Sequence, residues 1–200
     1  MVPDRQIPAQ TLAGNSPLRI ALVGGGKMGQ HHARAIGKLA PGARLVAVAD
    51  PAPAAAEPLR AEFPEIKHYT DLSALLAAEQ PDVVHIVTPP STHAALARLA
   101  LGAGCHLYME KPFVESVGEA KELLALAASR RLLVCAGHQL MYEPPARVLR
   151  EYRPAIGRLV HIESYFSFRT TRRTPDGRTP LRADLQLLDI LPHPVYLLLD

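Results

Sequence analysis

The sequence predicts an α/β protein, a doubly wound parallel sheet followed by an incomplete α+β portion. Three observations carry this. From Leu18 onward, short runs rich in Val, Ile and Leu alternate with Ala/Leu-rich segments of helical period, as parallel strands covered on both faces require. A glycine-rich turn, Gly24 to Gly29, sits where the first apolar run gives way to the first helical segment. Beyond residue 137 the rhythm breaks, and adjacent prolines at 144 and 145 precede an alternating segment.

The first strand is predicted over 18–23, where Leu-Arg-Ile-Ala-Leu-Val is short and apolar, and a helix over 28–39 follows the glycines. The second strand, 44–49, ends in Val48-Ala49-Asp50 and leads to an Ala-rich helix over 53–62. A short strand at 67–69 and a helix at 71–79 complete the first half. The second half repeats the alternation with strand 83–87, helix 92–102, strand 105–109, helix 116–130 and strand 132–136. Six strands fill a Rossmann-type sheet by residue 137.

The organisation expected is a polar, proline-containing, disordered tail at 1–17, a dinucleotide-binding domain at 18–137, and at 138–200 the start of a C-terminal substrate and dimerisation domain. In that last part 137–145 reads as a linker, 147–152 as helical, and 159–168 as a half-buried strand with Val160, Ile162, Phe166 and Phe168 on one face. A lone strand leaves backbone groups and an apolar face to cover, so this domain is expected to be truncated and poorly protected, with 18–137 folding independently.

Composition narrows the function classes. Two hundred residues with 48% hydrophobic, 20% charged and 5% aromatic content describe a globular chain. No run approaches the roughly 18 to 20 apolar residues of a membrane-spanning helix, and 1–17 lacks the apolar core of a signal peptide, so a cytoplasmic protein without a membrane partner is expected. Cys105 and Cys135 lie 30 positions apart and form no CxxC pair or zinc pattern; both read as buried spacers. The net charge of +3 is mild and the arginines gather in one late loop, which argues against nucleic acid. No histidine forms an HxH or HExxH pair, so no metal is expected.

The chemistry is concentrated at strand ends. In Gly24-Gly25-Gly26-Lys27-Met28-Gly29, Gly24 permits the tight turn, Gly26 lets a pyrophosphate approach the backbone, and Gly29 lets the helix pack on the strand. Lys27 and Met28 complete the loop over the helix start, whose N–H groups face the anion. Asp50 follows 21 residues after Gly29, where a ribose 2′-hydroxyl would sit. Its charge repels a 2′-phosphate and no Arg or Lys follows nearby, so NAD is favoured with NADP left open; the alternative is that Asp50 caps the next helix. Thr88, Pro89 and His93 lie at the end of the fourth strand, and Glu110, Lys111 and Pro112 at the end of the fifth, the edge where open α/β sheets bind ligands.

Together the GxGxxG, Asp50, the Thr-Pro-x-x-x-His stretch, the Ala103 to Pro112 run ending in Glu-Lys-Pro, and Asp189-Ile-Leu-Pro-His193 resemble the Gfo/Idh/MocA oxidoreductases over about residues 18 to 200. The resemblance implies that Lys111 stands beside the nicotinamide and the substrate hydroxyl, with the following peptide cis. It implies that His193 exchanges the alcohol proton with Asp189 orienting it; spaced by four, the two would share a helix face, although Pro192 and Pro194 flank the His. A cation at an alcohol oxygen is sound chemistry without the family, since hydride removal builds negative charge there. The activity implied is hydride transfer between a nicotinamide and a secondary alcohol or ketone of a sugar, polyol, keto-sugar or similar small molecule. Arg169, Arg172, Arg173, Arg178 and Arg182 hint at an anionic substrate, against the reading of a solvated loop. A homo-oligomer is expected if the second domain is completed. The alternative function is a dinucleotide-binding module without catalysis, or an inactive fragment of a longer dehydrogenase. His31 and His32, in the first turns of the helix after the glycines, read as packing residues, and His138 and Tyr142, at the domain junction, read equally as cleft-lining or packing residues.

Overall fold

Every strand and helix expected between residues 18 and 136 is present, within two residues at each end. A computed structural model describes residues 16–39, 41–158, 160–165 and 190–199. In chain order the elements are β1 (Leu18–Val23), α1 (Lys27–Gly37), β2 (Ala43–Ala49), α2 (Pro53–Glu62), β3 (Lys67–Tyr69), α3 (Leu72–Glu79), β4 (Val83–Ile86), α4 (His93–Gly102), β5 (His106–Met109), α5 (Val117–Ser129) and β6 (Val134–Ala136). They are followed by α6 (Pro144–Ile156) and α7 (Pro192–Leu199). All five strand pairings are parallel, in the order β3-β2-β1-β4-β5-β6. Chain progression therefore reverses between β1 and β4, and the crevice at their carboxyl ends is where such sheets take ligands.

The pleat of β1 explains the two layers. Ile20 and Leu22 are buried with Ala33, Ile36, Ala56 and Leu59 of α1 and α2, while Ala21 and Val23 join Val84, Ile86, Leu107 and Met109 in a second core. That second core is closed by Leu75 of α3, Ala97 and Leu101 of α4, and Leu123 of α5. Each fully buried Leu or Ile contributes about 1.5–3 kcal/mol. Local signals agree: Asp71 Oδ1 accepts the Ala74 N–H at 2.9 Å to start α3, and Ser116 Oγ accepts the Glu119 N–H at 3.2 Å to start α5.

Opposite the ligand edge, Glu79 ends α3 and is 6% exposed. Its carboxylate accepts from the Tyr69 hydroxyl at 2.5 Å, Lys67 Nζ at 2.9 Å and Arg19 at 3.2 Å, pinning α3 to β1 and β3. The Tyr69 and Lys67 hydrogen bonds, with the charges of Lys67 and Arg19, hold its pKa below the ordinary carboxylate range against burial.

Past β6 the structure departs from expectation in two places. Residues 137–145 are not a bare linker: a 3₁₀ turn forms at Gln139–Tyr142, and Pro144 and Pro145 open α6, because a first helical turn has no intrahelical use for their N–H groups. The strand expected over 159–168 is absent at residues 160–165, which are exposed; no strand among the described residues lies beside them to take ladder hydrogen bonds. Leu159 and residues 166–189, including the arginine group, fall outside the described residues. Cys105 is buried and donates to the Pro81 carbonyl at 3.1 Å, but Cys135 is exposed, since β6 is an edge strand. Among the described residues no helix is long and apolar enough to cross a membrane.

Glu79→Ala should lower unfolding free energy by about 1–3 kcal/mol at pH 7. Because the folded pKa is depressed, the carboxylate's contribution is present above its unfolded pKa and disappears as pH falls through the folded one. Urea unfolding of both proteins at pH 7 and in acid should show the gap closing on acidification.

Candidate active site

The glycine loop is built by backbone contact. Gly24 has φ of +105°, and its N–H donates to the Ala49 carbonyl at 2.9 Å, tying the loop to β2. A Cβ on Gly29 would collide with the Gly24 carbonyl, so α1 can rest on the loop only with no side chain there. Gly26 differs: a Cβ there would meet nothing within 4 Å, leaving open space over the start of α1. That start carries no side-chain cap and no acidic residue in its first turn, and Gly26, Lys27 and Met28 are exposed around it. Uncapped N–H groups with room above them fit a pyrophosphate.

Asp50 joins two segments of the same edge. Its Oδ2 accepts the Gly25 N–H and its Oδ1 the Ala52 N–H, both at 2.8 Å. Neither oxygen caps α2, whose N-cap is Ala52 with no side-chain cap; one closes a turn ahead of the helix, the other orders the glycine loop, and each retains a lone pair for a further donor. Next to it, the His68 ring contacts the Asp50 carbonyl at 3.1 Å.

On the other side of the order reversal, Thr88 and Pro89 lead into a 3₁₀ turn at Pro90–Thr92. Thr92 Oγ1 donates to the Pro89 carbonyl at 2.8 Å and accepts from the Thr88 hydroxyl at 2.7 Å. His93, expected to touch the cofactor, is 0% exposed and does not reach the edge. Its Nε2 lies 2.9 Å from the Thr88 carbonyl and its Nδ1 lies 3.0 Å from that of Pro112 and 3.2 Å from that of Phe113. It braces the two strand-end loops from behind. Lys111 precedes a cis peptide to Pro112, and both are half-buried at the end of β5.

Glu110, also expected at the cofactor, is 8% exposed and turned inward. One oxygen meets His32 Nε2 at 3.0 Å and the other accepts the Lys111 N–H at 3.2 Å. Burial pushes its carboxyl up, but the His32 hydrogen bond and charge and the Lys111 N–H and charge outweigh it and hold the pKa below the ordinary value. His32 and His85, read from sequence as packing or left unread, are thus second partners of this edge. The signal was available: His32 stands three residues after Gly29 on the packed side of α1, and His85 and Tyr108 are paired in register on adjacent strands.

His193 lies at the second position of α7, and Pro192 and Pro194 fall in its first turn, where proline does not break a helix. It is 9% exposed, and its Nδ1 shares a 2.6 Å hydrogen bond with the Tyr196 hydroxyl. Tyr196, which sequence reasoning missed, stacks on His138 with centroids 4.3 Å apart and accepts the Leu140 N–H at 3.4 Å. Burial raises its pKa, the Leu140 N–H opposes this, and the charges of Glu143 and Glu110 add to it. Asp189, expected to orient His193, lies outside the described residues.

Comparison with known proteins identifies the family of the sheet. The Gfo/Idh/MocA model, described as an oxidoreductase family with an NAD-binding Rossmann fold, matches residues 18–138. A UDP-N-acetylglucosamine 3-dehydrogenase from Acidithiobacillus ferrooxidans is 36% identical over 134 residues, covering 67% of this chain and 41% of that protein. Inositol 2-dehydrogenase 4 of Saccharopolyspora erythraea is 34% identical over 147 residues, 72% of this chain and 44% of that one. The crystal structure of GenD2 from gentamicin A biosynthesis in complex with NAD superposes with a TM-score of 0.64 at 31% identity, covering 71% of this chain and 40% of that one. The chain thus spans about two fifths of the proteins it matches.

The two loop glycines should separate on substitution. Gly26→Ala should leave thermal unfolding unchanged within about 0.5 kcal/mol and weaken NADH binding, whereas Gly29→Ala should cost about 1–3 kcal/mol of stability. Differential scanning fluorimetry and NADH titration of both variants check this.

Proposed function

The chain belongs to the Gfo/Idh/MocA oxidoreductase family, and from that premise we propose that it forms the cofactor-binding part of an NAD-dependent dehydrogenase acting on a secondary alcohol or ketone of a sugar, polyol or similar small molecule. One observation carries the reading: the glycine loop, Asp50 and Lys111 converge on the carboxyl edge of one parallel sheet, around its order reversal. The relatives' names, a nucleotide-sugar dehydrogenase and an inositol dehydrogenase, support a polyhydroxylated substrate.

The residues divide the work as follows. Gly24, Gly26, Lys27, Met28 and Gly29 hold the pyrophosphate, through the α1 N–H groups. Asp50 accepts from the adenosine ribose and disfavours a 2′-phosphate, making NAD the preferred cofactor. Thr88, Pro89 and Pro112 line the nicotinamide side. When bound, the nicotinamide supplies or accepts the hydride. Lys111 places its ammonium on the substrate oxygen and stabilises the negative charge that grows there. His193 takes or returns the hydroxyl proton, its Nδ1 anchored by Tyr196. Residues from 138 onward begin the substrate domain, and the location is cytoplasmic.

Two measurements test this. The sequence contains no Trp, so NADH emission can be followed without protein background. NADH should bind more tightly than NADPH, and Asp50→Ala should shrink the preference by about tenfold; equal affinities in the unmutated protein reject the cofactor assignment. Lys111→Met should reduce turnover on a polyol and nucleotide-sugar panel by roughly 10²–10³ while NADH affinity changes little. Normal turnover in that variant removes Lys111 from the mechanism.

A further inference from the structure

Behind the strand ends lies a polar cluster that the reaction as proposed does not use. His32 of α1, His85 of β4 and Tyr108 of β5 meet beside the buried Glu110. Strand register sets His85 next to Tyr108, and their rings stack with centroids 4.7 Å apart and planes at 20°. His32 closes the group edge-on, 5.3 Å from the His85 ring and 5.1 Å from the Tyr108 ring.

Counting hydrogens defines the cluster. An ionised Glu110 only accepts, so its 3.0 Å contact requires a hydrogen on His32 Nε2. The two Nδ1 atoms of His32 and His85 are 3.0 Å apart and share one hydrogen. If His32 is neutral, that hydrogen belongs to His85; if His32 is charged, it belongs to His32 and His85 carries its own on Nε2. Burial, reinforced by His32, pushes His85 down to about 3 despite Glu110, so His85 stays neutral. Lys111 faces the same carboxylate, while Cys135 of β6, Tyr142 and Tyr196 act on Tyr108.

Glu110 has little room to choose another pose. A Cβ on Gly137 would come within 3.3 Å of both its Cα and its Oε1, so the glycine leaves a slot just wide enough for the carboxylate. Without a donor at His32, a carboxylate that is 8% exposed loses its charge-assisted hydrogen bond and its reason to stay inward.

We propose that His32 is a positioning residue for Lys111: its Nε2–H fixes the Glu110 carboxylate so that the second oxygen holds the Lys111 N–H, linking the helix under the cofactor pyrophosphate to the lysine that polarises substrate. The proposal rests on the role given to Lys111 above. It makes the glycine-loop helix and the lysine one mechanical unit, joined through a single buried carboxylate.

The test uses the full chain without cofactor. In the unmutated protein, ¹⁵N-histidine NMR should show His32 Nε2 as an N–H nitrogen throughout about pH 6 to 8, whichever charge state the ring is in. His32→Asn, whose amide replaces the Nδ1 end of the ring, should speed hydrogen exchange of the Lys111 backbone amide by about five- to tenfold. His32→Gln, whose amide nitrogen reaches the Nε2 position, should restore exchange to within about twofold. A wild-type His32 protonated on Nδ1 alone, or Lys111 exchange unmoved by His32→Asn, overturns the proposal; the first result needs no variant to fold. Failure of the functional reading looks different: Lys111→Met would then turn over normally while the exchange pattern persists.

Discussion

The contact of Gly29 with the Gly24 carbonyl sets everything that follows it. With no atom beyond Cα, α1 settles directly on the turn leaving β1, and Ala33 and Ile36 are carried into the core beside Ile20 and Leu22. The same placement points the uncapped start of α1 at the carboxyl edge and delivers His32 to β4 and β5. Any larger residue would lift the helix by more than a packed interior tolerates, because cores at crystal-like density do not yield by an ångström without loss elsewhere. Core, anion cradle and polar cluster share one steric condition.

Around this the chain uses polar side chains as ties between loops. Asp50 joins the glycine loop to the start of α2, His93 joins the β4 and β5 ends, and Glu110 joins α1 to Lys111. Each tie meets backbone groups that the parallel strands leave unpaired where they stop, so each serves two demands at once: satisfaction of a buried donor or acceptor, and ordering of a loop at the carboxyl edge. His93 is informative because carbonyl oxygens of two different strand-end loops stand at its two ring nitrogens, so a single buried ring spans both.

The α/β architecture was legible because its signals are local. Apolar runs marked the strands, helical period marked the helices, and the glycines marked the crossover that matters most. Lys111 and Asp50 were legible because they terminate strands, and strand ends in such sheets share one edge. For Glu110 and His93 the position at a strand end was legible but not the inward turn of the side chain, since a sequence shows where a strand stops and not which way the next side chain points. His32, His85 and Tyr196 were harder: each gains meaning from a partner 53, 78 or 56 positions away or from a helix whose packing is set elsewhere. Beyond residue 137 the reading weakened. Alternation at 159–168 resembles a strand, yet alternation describes a surface and pairing requires a neighbour. At 144 and 145 two prolines suggested a linker although proline is at home in a first helical turn.

The sheet's flanks carry a last consequence. Among the described residues both outer strands, β3 and β6, are three residues long, against six and seven for the interior strands β1 and β2. An outer strand is a template on which a foreign strand can add, and its hazard grows with the length of open backbone it offers. Here that length is about one turn of a ladder on each side, and on β3 it begins at the exposed Lys67, a charge that resists burial by an incoming chain. The short margins confine lateral growth, so a sheet with an almost wholly apolar interior is shielded from aggregation by the brevity of its borders.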